Sequence, residues 1–228
     1  MYVKRLVFRT MFSIDAFRKE YQTQSTLVVV NGRRFDLLLP RTIDRFIDPQ
    51  NPLQDFPLWA KIWPASWILA EFLARLPVAS DQTFLEIGAG IGFVSIVAAS
   101  CGHCMTMTEY NPDALNFARA NAAVNNCPQI AVAKLDWHQP QLEGKFDVIV
   151  GSEITFRKED IPALLRLFQT YLNATGEIIL AGEMRRTSNR FFEQMNPFFH
   201  IKTYKKVLCS DEEQIPALLF RMTPKSHH

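Results

Sequence analysis

From residue 64 onward the apolar positions alternate between two periods. Ile68, Leu69, Phe72, Leu73 and Leu76 recur at helical spacing after Trp63-Pro64-Ala65-Ser66, with Pro64 at the first helical position and Pro77 closing the run. A short apolar run at 83–87 leads to a helical stretch at 92–100. A second run at 104–108 leads to a helix from Pro112 to about residue 125, with Asn111 as its N-cap, and a short strand follows at 130–133. Runs at 146–150 and 177–181 lead to helices at about 161–172 and 189–195. The pattern then changes, and residues 198–207 and 215–222 read as adjacent strands joined through Ser210-Asp211-Glu212-Glu213. Such alternation predicts an α/β chain with a mostly parallel, twisted sheet covered by helices on both faces and ending in an antiparallel pair.

The upstream residues follow other rules. Residues 14–21 read as a short helix. Residues 27–30 and 33–39 flank Asn31-Gly32, which supplies the two φ > 0 positions of a type I′ turn, so this is a β-hairpin. Four prolines (Pro40, Pro49, Pro52, Pro57) make 40–58 an irregular connector. The chain therefore divides into an N-terminal extension, 1–58, and a main domain, 59–224. The extension is expected to cover the site or to form a partner surface.

Composition narrows the function classes. The 228 residues, 48% hydrophobic, suit one full-sized globular domain. A net charge of +2 is too small to indicate nucleic acid or an anionic membrane as partner. No apolar run reaches the ~18–20 residues of a bilayer span, and residues 1–12 lack the apolar core and cleavage site of a signal peptide. A cytoplasmic protein is expected. Cys101-Gly102-His103-Cys104 has the spacing of a redox motif, but it follows a helix, where no N-terminal dipole stabilises a thiolate; Gly102 reads as the helix cap. No second Cys/His pair stands at a zinc spacing, and no metal is expected. His103 and His138 fall in loops with no legible triad partner.

The chemistry concentrates at Glu86-Ile87-Gly88-Ala89-Gly90-Ile91-Gly92-Phe93, a strand, a glycine turn and a helix start. Glycines let a ligand lie against the backbone, and the helix that follows aims N–H groups at it. The dinucleotide fingerprint G-x-G-x-x-G requires glycine at 93, where Phe93 stands. Pyrophosphate is therefore not demanded, and a smaller anionic group would suit the helix N-terminus. Glu109, ending the second strand, can accept hydrogen bonds from vicinal ribose hydroxyls, or cap the next helix. Asp136-Trp137, after the third strand, can receive an adenine amino group and pack on the ring, or serve as an ordinary loop acid and packing aromatic.

These residues resemble the class I, seven-strand S-adenosylmethionine-dependent methyltransferases, over about residues 60–222. The resemblance implies a Rossmann-like three-layer sandwich, with the terminal strand pair as a reversed edge of a seven-stranded sheet. It implies S-adenosyl-L-methionine as cofactor, held by Trp63, Glu86, Gly88, Ala89, Gly90, Gly92, Phe93, Glu109, Tyr110, Asp136, Trp137 and Ser152. More narrowly, Trp63-Pro64 and the segment after the fourth strand resemble the group that methylates lysine in proteins. That group carries Asp-x-x-Tyr where this chain has Glu153-Ile154-Thr155-Phe156. The implied catalytic residues are Glu153, which would orient the amine, and Phe156, which can pack or make a cation–π contact but cannot donate a hydrogen bond. The expected acceptor is a protein lysine. A small-molecule N- or O-methyltransferase is the alternative enzyme. A non-catalytic cofactor-binding module and a nicotinamide-dependent oxidoreductase are the alternatives from other classes.

Overall fold

A computed structural model describes residues 12–52, 56–154, 157–183, 186–209 and 214–225. The extension gives helix α1 (Ile14–Glu20) and a hairpin of β1 (Thr23–Val30) and β2 (Arg33–Pro40). The main domain follows as α2 (Pro64–Arg75), β3 (Thr83–Ile87), α3 (Phe93–Ser100), β4 (Cys104–Glu109), α4 (Pro112–Val124), β5 (Ala131–Lys134), β6 (Phe146–Ser152), α5 (Ile161–Tyr171), β7 (Leu172–Gly182), α6 (Arg186–Met195), β8 (Phe199–Cys209) and β9 (Gln214–Pro224). Strands β3 to β9 form one seven-stranded sheet in the order β5-β4-β3-β6-β7-β9-β8. Pairing is parallel from β5 to β7, and β9 is antiparallel to both β7 and β8. This is the expected Rossmann-like sheet with a reversed terminal pair.

Both faces of the sheet are apolar, as a parallel sheet between helix layers requires. Phe84, Val148, Val150 and Ile179 point to the layer carrying Leu69, Leu73, Ile96 and Val97 of α2 and α3. Leu85, Ile87, Ile149, Ile178 and Leu180 point to the layer carrying Leu164, Leu167, Phe168 and Phe191 of α5 and α6. β1 begins at Thr23, four residues before the expected 27, and two boundaries of the main domain differ from the pattern reading by more than two residues. β7 begins at Leu172, directly after α5, where Asn173-Ala174-Thr175-Gly176 looks like a turn in sequence. Leu172 pairs with Phe146, the register shifts before Val148, and a Cβ on Gly176 would stand 2.7 Å from the Asp147 carbonyl oxygen. The turn-like residues thus accommodate an irregular close approach within the strand. α6 begins at Arg186, upstream of the expected 189, because its first turn carries no apolar residue to mark it.

The hairpin is clamped by α4. Asn121, fully buried, accepts from the Leu38 amide (2.7 Å) and donates to the carbonyls of Leu38 (3.1 Å) and Ile91 (2.9 Å). One turn on, Asn125 accepts from the Asp36 amide (3.0 Å) and donates to its carbonyl (2.7 Å). Two side-chain amides on one helix face therefore satisfy alternate residues along the outer edge of β2. Phe17, Tyr21, Phe46 and Trp59 surround the buried ring of Phe117 on the same helix, at 5.0, 5.1, 6.4 and 5.4 Å between centroids. The hairpin thus lies against α4, and it is the connector after it, residues 56–63, that reaches the cavity described next.

Candidate active site

The strand order reverses between β3 and β6, and a cavity of about 890 Å³ lies at the carboxyl ends of these strands. This is where open α/β sheets bind ligands. Its walls include Trp63, Glu86, Gly88, Ala89, Gly90, Phe93, Glu109, Tyr110, Asp136, Trp137, Ser152 and Glu153, brought together from segments up to ninety residues apart. Gly92 is not among the lining residues. It caps α3 at φ 86°, and a Cβ there would meet Met107 Sδ at 3.0 Å and Ala118 Cα at 3.4 Å, so its place is helix packing. Phe156 lies outside the described residues.

The glycine turn meets its own protein at most of its amides. Ala89 N donates to Thr108 O (2.9 Å), Gly90 N to Glu109 Oε2 (3.0 Å) and Gly92 N to Ala89 O (2.9 Å). The helix start is occupied as well. Glu86, 1% exposed, accepts from the Ser95 amide in the first turn of α3 (3.0 Å) and from the Ser95 hydroxyl. The sequence suggested an anionic ligand at this N-terminus; the protein places its own carboxylate there instead. Burial pushes the Glu86 carboxyl up to about 7, with the nearby Glu109 charge adding to the rise and the Ser95 bonds opposing it. The turn also packs closely against its own protein. A Cβ on Gly88 would stand 3.1 Å from Ile154 Cγ2 and 3.3 Å from Trp137 Cζ2, and one on Gly90 would stand 3.3 Å from the Trp59 carbonyl oxygen.

Glu109 is a scaffold for two backbone segments. Oε2 receives Gly90, and Oε1 receives the amides of Tyr110 (2.6 Å) and Asn111 (3.1 Å). Asn111 Oδ1, not Glu109, caps α4, through Asp113 N and Ala114 N. Asp136 Oδ1 accepts from the His138 amide at 2.8 Å. Ser152 Oγ lies 2.9 Å from Ser66 Oγ, joining the end of β6 to the first turn of α2. Trp63 sits at the N-cap of that helix. Its indole N–H donates to Leu58 O (2.8 Å), and Lys61 Nζ stands 3.7 Å from its ring centre. The Trp63 face therefore already receives a cation within the cavity wall.

Glu153 carries a feature that sequence does not announce. Its φ is +54°, in the left-handed region that non-glycine residues seldom adopt and that recurs at functional sites. Its amide donates to Ala181 O (2.9 Å), and its Oε1 accepts from the Glu183 amide (3.0 Å), fixing the carboxylate against the end of β7.

The sequence reading missed a further pair. His138, read as a loop residue with no partner, places Nε2 3.0 Å from Oδ1 of Asp160, while Arg157 Nε lies 3.6 Å from Oδ2. All three line the cavity. His138 and Asp160 are 22 residues apart in the chain, and no spacing rule joins them. In charge, the lining carboxylates Glu86, Glu109, Asp136, Glu153 and Asp160 outnumber the cations Lys61 and Arg157.

The zebrafish (Danio rerio) protein N-lysine methyltransferase METTL21A is 32% identical over 155 residues, covering 63% of this chain and 69% of the relative. The mouse histone-arginine methyltransferase METTL23 is 31% identical over 119 residues, 46% of this chain and 44% of its own length. Among solved structures, precorrin-6y C5,15-methyltransferase from Geobacter metallireducens superposes with a TM-score of 0.57 at 20% identity, over 69% of this chain and 88% of that one, a likeness of fold. Residues 55–198, more than half of the chain, match the family described as lysine methyltransferase, and the protein belongs to that family.

Proposed function

We propose that the protein binds S-adenosyl-L-methionine in this cavity and methylates a lysine side chain of another protein. The observation that carries the cofactor reading is the occupied N-terminus of α3. With Glu86 on a first-turn amide and four further carboxylates (Glu109, Asp136, Glu153, Asp160) around the cavity, a pyrophosphate would meet negative charge. A cationic adenosine cofactor meets attraction, so the nicotinamide reading is disfavoured. The residues fit it physically: the buried Trp59 Nε1 in the cavity wall has no protein partner among the described residues.

Bound there, the cofactor supplies a methyl group activated by its sulfonium charge. The chain's task is to align a neutral amine and exclude water. In our reading Trp137 and Asp136 hold the adenine. Glu109 already accepts three amides, so about one of a carboxylate's four lone-pair sites remains, on Oε2, for a ribose hydroxyl. Trp63 and the connector before it form the wall near the methyl. Glu153, fixed by Glu183 N, orients the acceptor ammonium, and its proton leaves to water. In the extension 1–58, the described residues from 12 to 52 are clamped on α4 and residues 56 and 58 line the cavity, and 59–224 act as the catalytic domain. No helix among the described residues is long and apolar enough to cross a membrane. The free thiols of Cys101, Cys104 and Cys127 support a reducing, cytoplasmic setting.

The deciding experiment is transfer of an isotope-labelled methyl group into a fractionated lysate, with the labelled residue mapped by mass spectrometry. We expect label on lysine in a protein, and Glu153→Gln to slow transfer at least tenfold with affinity for S-adenosylhomocysteine retained. Label on arginine, as the METTL23 match would suggest, or in the small-molecule fraction overturns the acceptor. Tight NADH binding without S-adenosylhomocysteine binding overturns the cofactor. A separate expectation concerns Glu109→Gln. One of its three amide donors then faces an NH₂ group, and loss of one charge-assisted bond, about 1.5 kcal/mol, lowers S-adenosylhomocysteine affinity about tenfold by calorimetry. An unchanged affinity would mean that Glu109 does not organise the site.

A further inference from the structure

We infer that Asp160, His138 and Arg157 form a latch that holds the loop after β5 against the loop after β6 and sets the protein's grip on the adenosine end of the cofactor. This rests on the reading of the cavity given above. None of the three residues carries a role in that reading.

The position of Asp160 is the first ground. It ends the 3-10 turn Lys158–Asp160, which runs directly into α5, so its αR backbone continues the helix and its side chain makes no cap bond. Its carboxylate turns away from its own helix, Oδ1 to His138 and Oδ2 to Arg157. The carboxylate is buried, at 7% exposure, whereas the His138 and Arg157 side chains are more than half exposed and reach in over it. An ion pair with one exposed partner contributes only about 0–1 kcal/mol, so fold stability gives these contacts little weight.

What the arrangement joins is the second ground. His138 follows Asp136-Trp137 directly, and its amide is the donor that fixes Asp136 Oδ1. Trp137 in turn packs over Gly88 beside Ile154, which belongs to the loop after β6. Asp160 thus ties together, through His138, the two loops between which an adenine ring would lie. Asp160 is a positioning residue: it acts through His138 and the two loops.

The test separates grip from stability. Asp160→Ser keeps a small polar side chain that is too short to reach His138. We expect it to leave the thermal midpoint of the ligand-free protein within about 2 °C and to weaken S-adenosylhomocysteine binding up to about fivefold by calorimetry. His138→Ala should do the same, and the double variant should be no weaker than either single one, as coupled residues require. His138→Gln, which retains a donor at similar reach, should recover most of the affinity. Amide hydrogen exchange of residues 135–138 in the ligand-free protein should quicken in Asp160→Ser. Wild-type binding with Asp160→Ser within twofold of it overturns the latch alone, as do additive losses in the double variant or an unchanged exchange rate. A folded wild-type protein that does not bind S-adenosylhomocysteine overturns the functional reading and the latch's role together.

Discussion

Asn121→Leu should lower the thermal midpoint by roughly 10 °C, at 2–4 °C per kcal/mol for a chain of this size. Its side-chain amide satisfies three buried backbone groups: Leu38 N, Leu38 O and Ile91 O. Leucine has similar volume but no polar atom, so the three groups stay buried and unpaired. At 1–3 kcal/mol each, with partial relaxation, the loss is about 4 kcal/mol. Asn125→Leu removes bonds to Asp36 from the same helix face, but those bonds are solvent-exposed and water replaces them. It should cost no more than about 1 kcal/mol. Chemical or thermal unfolding of both variants checks the contrast, and equal small losses would mean that the hairpin is held by its apolar face alone. Because Asn121 also holds Ile91, in the glycine turn, its loss should weaken cofactor affinity even where the protein remains folded.

Glu86 gives the largest expected pH effect. Its folded-state value, pushed up to about 7 by burial, exceeds the ordinary carboxylate value of 4.5. The folded protein therefore holds a proton that the unfolded chain releases between these values, and stability falls as pH rises through this window. Below 4.5 both states are protonated and the full contribution is present; above about 7 it is gone. At 1.36 kcal/mol per pH unit the difference amounts to about 3 kcal/mol. Ligand-free protein should lose about this much between pH 4.5 and 8 relative to Glu86→Gln, whose amide stays neutral. Parallel pH–stability curves for the two proteins would contradict the assignment. A cation bound beside Glu86 favours its ionised form, so S-adenosylmethionine should bind more tightly at pH 8 than at pH 6, up to about tenfold. Glu86→Gln should lose that dependence.

Wherever the signal was local, the sequence reading and the fold agree. The period-2 and period-3.6 runs placed the seven strands and the helices between them, because a parallel sheet buried on both faces forces continuous apolar strands. Asn31-Gly32 marked the hairpin turn, and both residues have positive φ (49° and 76°). Gly102, read as the helix cap, follows Cys101 at the end of α3 with φ 108°. The glycine turn, Glu109 and Asp136-Trp137 were legible because each stands at a fixed place relative to the end of its own strand.

Other features came from residues that meet only through the fold. The pattern could not distinguish Gly92, which packs against Met107 and Ala118, from Gly88 and Gly90, which line the cavity; all three read as one turn. It offered the first turn of α3 to a ligand, and only the packed structure shows Glu86 occupying it. It left His138 without a partner because Asp160 lies on another element. It divided the chain at residue 58, while Asn121 and Asn125 join the two parts through hydrogen bonds 83 and 89 residues apart in sequence. By itself, then, the sequence determined the fold and the class of chemistry, since periodicity and strand-end motifs are set by neighbours along the chain. Which carboxylate fills which site, and which helix holds the hairpin, depended on the tertiary structure, because those interactions follow distance in space and burial.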